Sequence, residues 1–165
     1  LKGVQALQNK DASTYGHVKL AAFPAAPGQP KVPDGSADAV LTFRNVHNWR
    51  MGGEAQATAA FREMFAMLKP GGVLGIEDHR LPESADAARE ASSGYVKVST
   101  VRRLAEAAGF QYVGASEINA NRNDTANWPG GVWTLPPTYR LKDVDRAKYA
   151  AIGESDRMTL KFRKP

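Results

Sequence analysis

Apolar residues return at helical spacing between positions 54 and 68, where Ala57, Ala60, Phe61, Met64, Phe65 and Leu68 share one broad face. The spacing predicts a helix that buries that face in a core. Pro70-Gly71-Gly72 predicts its stop, because proline cannot continue the ladder and glycine takes a left-handed exit. Val101, Leu104, Ala105 and Ala108 repeat the pattern behind Ser99, a residue type suited to a helix N-cap. Gly109 predicts the end of that second helix, with Phe110 closing over its last turn. Elsewhere the period changes. Ala39-Val40-Leu41-Thr42-Phe43 and residues 73–76 are short, nearly continuous apolar runs, the pattern of buried strands. Residues 112–118 predict a third strand, and residues 17–23 are short, partly apolar and strand-like. Met158, Leu160 and Phe162 alternate with Arg157, Thr159 and Lys161, the period of a half-exposed strand.

The connections are equally patterned. Residues 23–33 hold Pro24, Pro27, Pro30 and Pro33, which predicts a loop, and Pro33-Asp34-Gly35-Ser36 is turn chemistry. A long connection over residues 119–155 contains Trp128-Pro129-Gly130-Gly131 and Leu135-Pro136-Pro137-Thr138-Tyr139, with a short helix predicted at 143–151. Connections of that length are usually functional or carry structure of their own. Strands alternating with helices predict one α/β domain over residues 1–165 with a mostly parallel sheet. The last strand has no crossover helix before it and is predicted to run antiparallel.

Composition narrows the chemistry. With 165 residues and no cysteine, disulfides, thiolate metal sites and cysteine nucleophiles are excluded. The net charge of +5 is gathered mostly beyond Asn119, without the dense Lys/Arg cluster and interleaved aromatics of a nucleic-acid surface. It reads as a mildly basic solvated surface. No apolar run approaches the ~20 residues of a membrane helix, and no leader pattern is legible. The expected compartment is the cytoplasm. A start at Leu1 suggests that the natural start lies upstream.

Three phrases, in order, resemble the class I S-adenosylmethionine-dependent methyltransferases. Pro33-Asp34-Gly35-Ser36-Ala37-Asp38-Ala39-Val40 is similar to the turn leading into that family's fourth strand. Leu68-Lys69-Pro70-Gly71-Gly72-Val73-Leu74 is similar to the junction before its fifth, and Leu104-Ala105-Glu106-Ala107-Ala108-Gly109-Phe110 to the helix end before its sixth. Asp78-His79 and the ending from Ser155 to Pro165 resemble a bacterial branch of predicted methyltransferases. The resemblance implies a Rossmann-like sheet, S-adenosylmethionine as cofactor and a small-molecule methyl acceptor. It also implies missing amino-terminal strands: the family's glycine-rich cofactor loop and the acidic residue for the ribose find no room before His17. On that expectation the isolated chain binds cofactor poorly. It either forms a homo-oligomer or is covered by the missing amino-terminal segment, because part of the sheet near Val40, Leu41 and Phe43 is uncovered.

Ligands of open α/β sheets sit beyond the carboxyl ends of the strands. Arg44, Asn45, His47, Asn48 and Trp49 follow one predicted strand, and Glu77, Asp78, His79 and Arg80 follow the next. If the strands are neighbours, His47 and His79 approach one cleft, where an imidazole suits general-base work. His47, His79 and Asp78 are the candidate catalytic residues; local loop bracing is the competing reading. The resemblance places Phe23, Arg44 and Asn45 on the cofactor side, Phe23 standing where the family often has an acidic residue near the adenine. The three catalytic candidates have acceptable metal-ligand types but no metal-site spacing, and no metal is expected. Glu77 is either solvated or paired with Arg80. Trp49, Trp128, Trp133 and Tyr139 either wall an aromatic pocket or pack the long connection on the sheet. A non-enzymatic methyltransferase-like scaffold is the alternative function.

Overall fold

The computed structural model describes residues 2–165, which form two compact units divided between Pro33 and Asp34. The first contains helices α1 (Lys2–Lys10) and α2 (Ala12–Tyr15), the latter capped by Asp11, whose carboxylate accepts from the Thr14 amide. The strand expected at residues 17–23 is absent. Val18, Leu20 and Phe23 remain exposed, and the backbone bonds there close a turn, Val18 N–H to Tyr15 O at 3.1 Å, and a loop, Ala22 N–H to Pro30 O at 2.9 Å. A short apolar run with no neighbouring ladder gains nothing from extended pairing.

The second unit holds strand β1 (Ala37–Phe43), helices α3 (Val46–Met51) and α4 (Glu54–Met67), and the long strand β2 (Leu68–Leu81). Strand β3 (Val96–Lys97), helix α5 (Val98–Ala107), strand β4 (Gln111–Ser116), helix α6 (Arg146–Ile152) and strand β5 (Arg157–Arg163) follow. The sheet runs in the order β1-β2-β5-β4, with β3 beside the far end of β2. Strands β1 and β2 are parallel, and β5 is antiparallel to both β2 and β4. The mostly parallel Rossmann-like sheet with a reversed last strand is therefore present. Among the described residues, no helix is long and apolar enough to cross a membrane.

Helix α4 buries Ala57, Ala60, Phe61 and Met64 against the sheet, and α5 adds Val101, Leu104 and Ala105 to the same core. Its end differs from expectation. Strand β2 starts at once at Leu68, with Pro70-Gly71-Gly72 forming an irregularity in the pairing to β1. The terminal helix carbonyls are met instead by Lys164, whose Nζ donates to Phe65 O and Leu68 O at 2.8 Å each. Gly109 does close α5, at φ +107°, and Phe110 is buried behind it.

Ser99 is not the N-cap of α5. It lies inside the first turn, and its amide and hydroxyl both donate to the Glu83 carboxylate, at 2.9 and 2.6 Å. A carboxylate from another segment meets these donors and complements the helix dipole better than the hydroxyl of Ser99. The strand at 39–43 also differs from a two-face burial. Thr42 is buried and Val40 half-buried against the helices, while Leu41 and Phe43 are 62% and 60% exposed. Helices α4 and α5 cover one sheet face only.

Candidate functional site

The register Phe43↔Glu77 ends β1 level with the point where β2 continues through Asp78 and His79. Arg44 takes a left-handed φ of 53°, its amide bonded to Glu77 O at 2.8 Å, and this turn carries the chain from β1 into α3. His47 therefore sits in the first turn of a helix, directly over Asp78. Asp78 is fully buried and bonded through both of its oxygens. Its Oδ2 accepts the His47 amide at 2.8 Å, and its Oδ1 accepts the His79 amide at 2.8 Å and meets His47 Nδ1 at 2.7 Å. One carboxylate thus caps α3 and fixes an imidazole. Arg50, at the far end of α3, is held by the buried Glu90 at 3.2 Å.

His79 packs 5.0 Å from His47, ring centre to ring centre, and its Nδ1 lies 2.5 Å from Ser155 Oγ. Burial pushes its pKa down to about 4, against the opposing pull of Asp78 and with a smaller push from His47. The imidazole is neutral at pH 7. The Asp78 carboxylate is bonded to the His47 ring rather than to the His79 ring. Glu77 also differs from expectation. It pairs with Arg157 at 3.0 Å, not with Arg80, and burial raises its pKa despite that partner. Arg80 is held bidentately by Asp156 and again by Glu117, all at 2.8–2.9 Å.

Both histidines open on a cavity of about 320 Å³. Phe43, Arg44 and Asn48 form its strand-end side, and Val132, Trp133, Pro136, Pro137 and Thr138 close it from the long connection. That connection is pinned by Asp124, which accepts from Tyr95 Oη at 2.9 Å, Trp128 Nε1 at 2.7 Å and the Asp156 amide at 2.8 Å. Of the four aromatics, Trp133 walls the cavity, 6.3 Å from the His47 ring, while Trp49 is core. Trp128 packs in a second small core, and Tyr139 stacks under Arg146.

The structure brings together Arg44, His47, Asp78 and His79. Asn45 is exposed at the same strand end, bonded back to Phe43 O at 3.3 Å, and Phe23 lies in the amino-terminal unit. Sequence reasoning missed Ser155 and Glu154. The signal was available only through pairing: His79↔Arg157 in the β2–β5 register brings Ser155 beside His79.

Ligand atoms of His47, Asp78 and His79 lie within 4.8 Å of one another, a geometry compatible with a cation. The Asp78 carboxylate is already engaged, however. The Asp78 oxygens accept three N–H groups, so a cation drawing on them would strip the cap from α3.

Arg44 and Asn45, expected on the cofactor side, are exposed at the end of β1 among the described residues. Among them no strand leads through a glycine-rich turn into a helix, the approach that the cofactor's methionine part requires. These residues do not by themselves fit the cofactor.

Residues 4–76 match the family described as a methyltransferase domain. No curated protein matches the chain significantly in sequence. Among solved structures, the chain is similar to the [4+2]-cyclase SpnF (TM-score 0.59, 18% identity, 98% of this chain and 60% of that one). It is also similar to a putative sarcosine dimethylglycine methyltransferase from Galdieria sulphuraria (TM-score 0.57, 17% identity, 97% and 63%). A third is an S-adenosylmethionine-dependent methyltransferase from Aquifex aeolicus (TM-score 0.53, 14% identity, 98% and 61%). The chain thus spans less than two thirds of the length of each. The match over residues 4–76, the strand order with its reversed last strand and the shared fold agree in making the chain similar to the S-adenosylmethionine-dependent methyltransferases.

Proposed function

We propose that this chain carries the acceptor side of a methyltransferase acting on a small molecule, with His47 as general base and Asp78 as the residue that orients it. One observation carries the reading: a fully buried carboxylate bonded to an imidazole that faces a cavity of about 320 Å³ at the carboxyl ends of two parallel strands. An ionised carboxylate only accepts, so His47 places its proton on Nδ1 and keeps the Nε2 lone pair. Nε2 can then take a proton from an acceptor held against Trp133 and the proline wall. Asp78 offsets the imidazolium that forms. When bound, S-adenosylmethionine supplies an electrophilic methyl group; the residues of this chain hold the acceptor and remove its proton.

A second reading, the fold used without methyl transfer, is favoured by the similarity to a protein described as a cyclase. The two separate in a label-transfer assay on the protein that contains this chain, with methyl-labelled S-adenosylmethionine and pooled small-molecule metabolites. The expected result is label in a small molecule, reduced ~10²–10⁴-fold in His47→Gln. Binding of metabolites without label transfer would favour the second reading.

A further inference from the structure

We infer that the methyl acceptor is a hydroxyl on a small aromatic molecule, held between His47 and His79 as donor to one and acceptor from the other. The inference rests on reading this cavity as the acceptor site.

The two imidazoles are locked in opposite tautomers by their outer partners. His47 gives its Nδ1 proton to Asp78, which can only accept, and presents a bare Nε2. His79 is paired through Nδ1 with Ser155 Oγ, a buried hydroxyl for which no other acceptor is present among the described residues. A proton on His79 Nδ1 would leave the Ser155 hydroxyl proton without a protein acceptor among the described residues. The balance of hydrogen bonds therefore makes Ser155 the donor and puts the His79 proton on Nε2. With the rings 5.0 Å apart, the cavity presents one acceptor and one N–H donor side by side. Burial keeps His79 neutral, so its N–H remains a dipole rather than a charge.

That pair selects by lone-pair count. A hydroxyl donates its proton to His47 and accepts from His79 with one lone pair, leaving another free to attack an electrophilic carbon. The O–H proton passes to His47 Nε2 and the bonding pair stays on oxygen; S-adenosylmethionine, when bound, would supply the methyl group, whose bond to sulfur would break with its pair left on sulfur as the O–C bond forms. A neutral amine has a single lone pair. If it accepts from His79 it has none left to attack with, and if it does not, the His79 N–H is buried without a partner. Trp133 and Phe43 offer ring faces, and Pro136 and Pro137 apolar surface, beside the polar groups of the cavity, which leaves a place for an aromatic ring. The acceptor class is therefore a phenol or a comparable ring-borne hydroxyl.

The test uses the whole chain, nitrogen-15-labelled at histidine, titrated with phenol and with aniline while the ring nitrogens of His47 and His79 are followed by NMR. The expected spectra show His47 protonated at Nδ1 and His79 at Nε2. Phenol should shift both residues and bind about tenfold or more tightly than aniline, whose nitrogen lone pair is delocalised into the ring and is a poor acceptor for the His79 N–H. In Ser155→Ala the His79 tautomer should become mixed and the preference should shrink. Equal binding of both probes, or a His79 proton on Nδ1, overturns the hydroxyl assignment while leaving the cavity as an acceptor site. Failure of both probes to shift either histidine overturns the reading of the cavity itself.

Discussion

Asp78 joins three requirements in one side chain: it caps α3, fixes the His47 ring and bonds the His79 amide. Removing it should therefore be costly for stability as well as for chemistry. Asp78→Ala is expected to lose about 2–4 kcal/mol in urea unfolding, since buried donors are left unpaired; a loss below about 1 kcal/mol would mean that water replaces the carboxylate. His79 gives a second residue-level test. Its folded pKa, about 4, lies below the ordinary value of 6.5, so the unfolded chain binds more protons between those limits. The His79 contribution is fully present above about pH 6.5 and is lost progressively as pH falls toward 4. Wild type should therefore lose more melting temperature across that window than His79→Gln, which keeps Asp78, His47, Arg44 and Arg157 around the site. Parallel curves would show that burial does not hold His79 neutral.

The elements differ in how far local pattern decides them. Helix α4 and strand β5 were legible because each buries one regular face, with Phe61 and Met64 on the one and Met158, Leu160 and Phe162 on the other. Residues 17–23 carried a strand-like pattern without a ladder to join, and pattern alone cannot supply a neighbour. The start of α5 was misread for a related reason: Ser99 is a suitable cap by type, but Glu83 reaches its amide and hydroxyl from 16 positions away. The site was legible to the same limit. His47, Asp78 and His79 follow adjacent strands, so topology brings them together, whereas the helical placement of His47 and the pairing of His79 with Ser155 depend on tertiary bonds. A direct check compares Glu83→Ala with Lys97→Ala by thermal unfolding. Glu83→Ala should cost about 1 kcal/mol through loss of the bonds to Ser99, and Lys97→Ala, which loses an exposed bond to Glu83 O, no more than about 0.5 kcal/mol. Equal costs would contradict the assignment of Glu83 as the cap.

At the scale of the whole molecule, the helices of the second unit cover one face of its sheet, and Leu41 and Phe43 stand exposed on the other. An apolar face on an edge strand favours association. Light scattering of the chain should show concentration-dependent self-association, relieved in the Leu41→Lys, Phe43→Ser double variant; a clean monomer at high concentration would contradict it. The same sheet fixes the site, because parallel β1 and β2 deliver His47 and Asp78 to one end and antiparallel β5 brings Ser155 to His79. The central claim is that His47 and Asp78 act as one proton-accepting unit in methyl transfer. Its most direct test is the methyl-transfer rate of the protein containing this chain, measured for wild type, His47→Gln, Asp78→Asn and the double variant. Each single substitution should lower the rate ~10²-fold or more, and the double should lower it no further than the worse single, as expected for residues that work as a unit. Rates equal to wild type in His47→Gln, or losses that multiply in the double variant, would contradict the account.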